Sequence, residues 1–271
     1  MAREVRLDGR GELEQRGLTL ERVLRHDRLV AALALGILVA AAWLVLLRMR
    51  AAMMPGMMPG MAMPAAHPWA LPDVALLFLM WVVMMAAMML PSAAPMILLF
   101  SSVNRRRGQR ASPMVPTSLF VAGYLLVWAG FSAAAALAQT ALHEAALLSP
   151  AMATTTPLLG GLLLILAGVY QWMPLKQACL GTCRSPLGFL SSEWREGRRG
   201  ALVMGLRHGL FCLGCCWALM VLLFVAGVMN LAWIAALAGL VLVEKIVPGG
   251  GWIGRAGGVA LVAAGVWMIA R

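Results

Sequence analysis

Charge is scarce in this chain of 271 residues: Asp, Glu, Lys and Arg make up 12% of it, against 62% hydrophobic residues. A soluble domain of this length carries about twice that share of charge, so the composition excludes one and indicates a membrane protein. Acidic residues are the scarcer sign, 11 against 22 Lys and Arg, for a net charge of +11. The arginines stand between apolar runs rather than in one patch, which excludes a nucleic-acid surface. Cysteine is limited to five, in two tight groups, an odd count that does not fit a secreted disulfide framework. Walker loop, Rossmann glycine pattern and serine-hydrolase elbow are all missing. No ATP site and no catalytic centre can be read, so any transport would be passive or driven by a partner. Residues 1–28 hold seven Arg and six acidic residues, too long and too mixed a leader for a signal peptide, and no cleavage is expected.

What is present is a series of membrane-length apolar runs. They predict an all-α, polytopic transmembrane helix bundle of about seven spans, near 29–47, 74–100, 117–142, 157–173, 205–229, 231–247 and 252–270. Residues 1–28 form a polar cytoplasmic segment ahead of a transmembrane domain over 29–271, with a Met-rich outer loop at 48–73. Pro55, Pro59, Pro64, Pro68 and Pro72 argue against regular helix throughout that loop. With the N-terminus in the cytoplasm, the inner segments hold 19 Lys and Arg and the outer ones three. That bias predicts the N-terminus in and the C-terminus out, and the localisation expected is a bacterial inner (cytoplasmic) membrane, which rests on the family resemblance given below. Trp69 and Trp252 are interface anchors by the same rule.

Methionine is the compositional anomaly. Of 21 Met, 12 lie between Met53 and Met96, where even spreading would put roughly 3. Met53, Met54, Met57, Met58, Met61 and Met63, followed by His67, make the outer loop a candidate capture site, since thioether and imidazole suit Cu(I) or Ag(I) and hard ions want oxygen. The competing reading is a repetitive flexible linker. Further on, Met80, Met84, Met85, Met88 and Met89 occupy about half the circumference of one helix. Met84/Met88 and Met85/Met89 are stacked one turn apart. Pro91 and Pro95 follow and should kink that helix. Flexible gap-filling between helices explains such a ridge equally well.

The second cluster is GLRHGLFCLGCCW, residues 205–217. His208, Cys212, Cys215 and Cys216 fall within about 100° of one another on a helix. One helix face does not close a tetrahedral site, so ligands from elsewhere are required. Cys179 and Cys183, in CLGTC on the same predicted side, are the candidates. A site of Cys179, Cys183, Cys212 and Cys216 would leave Cys215 or His208 as spares. Inert packing and redox work by the C-x-x-C pair Cys212 and Cys215 compete with metal binding. Thiols persist on the reduced inner side, whereas thioether tolerates the oxidising outer one. Glu244 and Lys245, at the end of the sixth run, are read as snorkelling to the headgroups. His143 and Glu144 are either outer ligands or part of a wet loop.

MWVVMMAAMMLPSAAP, YQWMPLKQACLGTCRSPLGF, GLRHGLFCLGCCWALM and NLAWIAALAGLVLVEK resemble a family of bacterial integral membrane proteins. The family is described as predicted metal-binding and, in some members, as copper chaperones. The resemblance spans about residues 74–247 and implies the fold and a metal association. It carries over to Met84, Met85, Met88, Met89, Cys179, Cys183, His208, Cys212, Cys215 and Cys216. The resulting expectation is capture of Cu(I) and its transfer or transport through Met sites and then Cys/His sites. The partners expected are the lipid bilayer and a periplasmic or cytoplasmic metal carrier or oxidase. The alternatives are a membrane subunit of an oxidoreductase or assembly complex with redox-active thiols, or a structural subunit.

Overall fold

The computed structural model describes residues 4–52, 71–107, 114–148 and 153–271. The Met-rich stretch with Met53, Met54, Met57, Met58, Met61, Met63 and His67 lies outside the described residues. All described secondary structure is helical, apart from an isolated bridge between Leu148 and Thr154. The elements are α1 (Glu4–Ala52), α2 (Leu71–Arg107), α3 (Met114–Glu144), α4 (Pro157–Tyr170), α5 (Pro174–Arg184), α6 (Pro186–Glu193), α7 (Gly197–Val221), α8 (Leu223–Ala226), α9 (Leu231–Ile246) and α10 (Gly250–Ala270).

Among the described residues, five helical stretches are long and apolar enough to cross a bilayer: Asp27–Ala52, Leu71–Arg107, Met114–Glu144, Gly197–Ala226 and Gly250–Ala270. The run at 157–173 behaves differently. Its helix stops at Tyr170, and the chain bends by 63° before Pro174 opens α5. Pro174 has no N–H to continue α4, but it suits the first position of a new helix. The run at 231–247 forms α9, with 16 residues, about 24 Å of helix and a little short of a hydrocarbon core. Residues 174–204, polar enough to suggest a loop, are instead α5, α6 and the start of α7.

Proline proves less disruptive than its sequence position suggests. Pro72 sits in the first turn of α2, where its missing N–H removes no hydrogen bond. Pro91 and Pro95 lie inside α2, yet the helix is continuous across both. Beside them the Met89 carbonyl accepts from Tyr124 of α3 and from Ser92. From Glu4 on, the polar segment also joins the first apolar run in a single helix, α1.

α1 packs on α2, α2 on α3, and α3 along α7. The α3–α7 contact depends on small residues. A Cβ on Gly123 would meet the Leu206 nitrogen at 2.9 Å, and one on Gly209 would meet Val127 Cγ2 at 2.9 Å. Gly205 lies directly against the backbone of Phe120. On the far side, α4 and α10 are joined in the same way. A Cβ on Gly168 would stand 2.8 Å from the Gly258 carbonyl, and one on Gly265 2.6 Å from that of Gly161. Close backbone approach of this kind is how apolar helices associate where burial in water offers no gain. Gly249, with φ of 79°, makes the left-handed turn between α9 and α10 that a side chain would strain.

The core lies between α2, α3 and α7, where Trp81, Phe100, Phe120, Tyr124 and Trp128 are all buried. Large apolar residues face outward along α1 and α10, such as Ile37 at 68% and Trp252 at 67% exposure. Outward apolar surface on such long helices is compatible with lipid contact.

Gly205→Val should lower the detergent unfolding midpoint by the equivalent of about 1–3 kcal/mol or more, because backbone blocks its Cβ. Gly36→Ala in α1, where nothing lies within 4 Å, should change it by less than about 0.5 kcal/mol. Thermal unfolding followed by circular dichroism distinguishes the two.

Candidate metal centre

The ridge of α2 faces inward. Met80 is 4% exposed, and Met84, Met85, Met88 and Met89 are at or below 1%. The same is true of α7, where His208, Cys212, Cys215 and Cys216 are all buried. The two helices run antiparallel, with Trp81 against Phe224 at one level (ring centroids 5.3 Å apart) and Met89 against Cys216 two turns on. Cys216 Sγ lies 3.8 Å from Met89 Sδ. This is a thiol–thioether contact across helices, far apart in sequence.

Metal–sulfur bonds of about 2.3 Å hold two sulfurs about 3.8 Å apart around a tetrahedral ion and about 4.0 Å apart around a trigonal one. The Met89–Cys216 pair already has that spacing. Cys215 and Cys216 both donate to the Cys212 carbonyl, at 3.1 and 3.0 Å. These local bonds give thiols on an apolar helix an acceptor. Among the described residues, no group of three His, Cys, Asp or Glu side chains is drawn together as a metal site. A soft ion here would rely on thioether as well as thiol.

α5 packs on α7 and brings its cysteines toward the cluster. Cys179 Sγ lies over Gly214, where a Cβ would stand 2.7 Å from it. The two sequence clusters therefore meet, with Cys179 set against the turn of α7 that carries Cys215. Cys179, Cys183, Cys212 and Cys216 are not gathered around one point. Met84, Met85 and Met88 are buried on the same helix as Met89.

His208 stacks among Phe120, Tyr124 and Phe189, with ring centroids 6.0, 5.8 and 5.4 Å away. Its Nδ1 is buried without a hydrogen-bond partner. An imidazole nitrogen left without a partner one turn from Cys212 could serve as a ligand. The donor chemistry thus fits a soft monovalent ion: thiols, thioether and one uncommitted imidazole.

Other residues of the cluster have a place that the sequence did not suggest. Lys245 and Glu244, expected to snorkel, are instead buried, being 8% and 1% exposed. Lys245 Nζ donates to Cys212 Sγ at 2.9 Å and to Ser92 Oγ at 3.0 Å. Glu244 pairs with Lys176 of α5 at 2.9 and 3.0 Å, and Lys176 also bonds Gln171. Gly254 makes room, since a Cβ there would meet the Lys176 ammonium at 3.4 Å as well as the Glu244 carboxylate. α9 ends against α5 and α7, not at an interface where its charges would reach water. That is why the end-of-helix argument failed.

The chain's two tyrosines both reach this place. Tyr124 lies 3.1 Å from Cys212 Sγ and donates to the Met89 carbonyl at 3.1 Å. Tyr170 donates to the Gly214 carbonyl. A rare phenol inside an apolar run needs a partner, and that was the available signal. His143 and Glu144 lie at the end of α3, away from these contacts.

Residues 78–268 match the PpoB2 copper chaperone family. No curated protein and no solved structure matches the chain. The matched span contains the buried Met ridge, both cysteine groups and the Lys176–Glu244 pair.

Breaking that pair tests the architecture. Glu244→Gln should destabilise the chain by about 3–5 kcal/mol, because Lys176 is left buried and unpaired. The double change Lys176→Met with Glu244→Leu should recover most of the loss. Thermal unfolding of the three variants in one detergent measures both effects.

Proposed function

From a chain that belongs to the copper chaperone family, we propose an integral membrane protein that binds Cu(I) between α2 and α7 and hands it on. The observation that carries this reading is the Met89–Cys216 contact of 3.8 Å. Cys216, Cys212 and Met89 are the proposed ligands, with His208 available through its orphaned nitrogen. Binding would take the Cys216 thiol off the Cys212 carbonyl and release its proton. Cys179 and Cys183, on the bent arm α5, would be the next acceptors or the last donors. Met80, Met84, Met85 and Met88 would form the relay toward the other end of α2. The loop from Met53 to Met63, with His67, would be the capture site. Conduction calls for several sites of moderate strength, and thioethers alternating with thiols supply that.

The topology in this reading is about seven spans, counting the α4–α5 pair and α9, with the N-terminus in the cytoplasm of a bacterial cell. Nineteen basic residues on the inner side against three outside support it. A metal carrier or an oxidase, periplasmic or cytoplasmic, would be the partner. A redox reading draws on one observation, the placing of Cys179 Sγ over Gly214, next to Cys215. Two neighbouring thiols are suited to forming a disulfide when a partner accepts the electrons.

Metal analysis of anaerobically purified protein should find about one or more copper per chain, the minimum for a soft-donor site of this kind. Cys212→Ser combined with Cys216→Ser should abolish it. Met89→Leu, close in volume, should weaken Cu(I) retention against a chelator by about tenfold, the equivalent of 1.4 kcal/mol. Copper retained in full by the double serine variant would sink the assignment. A thiol redox change with no bound metal would favour the second reading.

A further inference from the structure

Lys245 places a fixed positive charge directly on a proposed ligand. Its ammonium is 2.9 Å from Cys212 Sγ and 3.0 Å from Ser92 Oγ. No carboxylate is paired with it among the described residues, because Glu244 turns to Lys176. Ser92 gives no counter-charge either, its hydroxyl donating to the Met89 carbonyl at 2.9 Å. Its hydrogen-bond partners among the described residues are a thiol and a hydroxyl. The charge it carries must therefore be counted with that of any ion on Cys212.

The count discriminates between ions. A monovalent ion held by the Cys212 and Cys216 thiolates, with the neutral Met89 thioether, makes a group of net charge minus one. The Lys245 ammonium brings that to zero. A divalent ion on the same three ligands leaves the buried group at plus one. A third thiolate would cancel this, but Cys215 donates to the Cys212 carbonyl at 3.1 Å, and it is Cys216, not Cys215, whose sulfur meets Met89. An uncompensated charge inside an apolar bundle costs several kcal/mol. Thiolate and imidazole also bind Zn(II) well, so softness alone does not reject it.

We propose that Lys245 is the specificity-determining residue of this centre, a tethered cation that restricts the cargo to monovalent soft ions. The inference rests on the copper-binding reading and adds the means by which divalent metal is refused. It also assigns a role to a charge that snorkelling would have left idle. Lys245 touches a ligand and not the ion, and it acts through charge balance.

The test uses the full chain, purified anaerobically in detergent and loaded with Cu(I) or Zn(II) alone. Retention is read against a competing chelator for wild type, Lys245→Gln and Lys245→Arg. Glutamine keeps an N–H donor for Cys212 and Ser92 without the charge, and arginine keeps the charge. Wild type and the arginine variant should retain Cu(I) and release Zn(II). The glutamine variant should gain at least about tenfold in Zn(II) affinity. Lys245→Met repeats the measurement if the glutamine variant is not monodisperse. Unchanged or weaker Zn(II) binding without the charge, with copper still held by wild type, overturns the inference alone. Loss of both metals from a monodisperse wild type overturns the copper reading and this inference with it.

Discussion

A charge buried among apolar helices has no water to turn to, so its partners must be built into the bundle. Lys176, Glu244 and Lys245 impose that constraint here, and much of the arrangement follows from it. Glu244 and Lys176 join the end of α9 to the bent arm α5. Lys245 joins the same end of α9 to α7 and α2 through Cys212 and Ser92. Once α5 is held against α9, its two cysteines have one place to go, the Cys215 turn of α7. The charges thus position the sulfur.

A second requirement is close packing without the hydrophobic effect as its driving force. Gly123, Gly205 and Gly209 let α3 and α7 approach until backbones touch. That proximity brings the Tyr124 hydroxyl between Cys212 and the Met89 carbonyl. A row of donors then runs from Lys245 through Cys212 and Tyr124 to Met89, crossing four helices. Each member meets a polar need of the next, so the network is satisfied from end to end. His208 Nδ1, by contrast, is left over. An unsatisfied nitrogen in so well-paired a neighbourhood is where a ligand is expected.

The sulfur itself shows two kinds of placement. Met80, Met84, Met85, Met88 and Met89 pack as buried thioethers along one face of α2. Packing explains four of them as well as any chemistry does, since Met fills gaps readily. Met89 differs because its sulfur reaches a thiol on another helix at the spacing two ligands of one ion would have. The family match to copper chaperones gives that spacing its meaning.

Composition and period predicted a helical chain, and five of the seven runs read from them form helices long enough to cross a bilayer. A helix needs only its own backbone bonds and an apolar face, both of which are local properties. The shared face of His208, Cys212, Cys215 and Cys216 was legible for the same reason. The break at Gln171–Met173 was not, because 157–173 reads as one apolar run and only Pro174 hints at a stop. Lys176 looked like a loop residue and Lys245 like a snorkelling one, since their partners lie on other helices. Whether a charge at a helix end reaches water depends on what packs there. Sequence determined the donors and the helices that carry them; tertiary packing alone decided which sulfur faces which, because that contact is set by distances between segments remote in the chain.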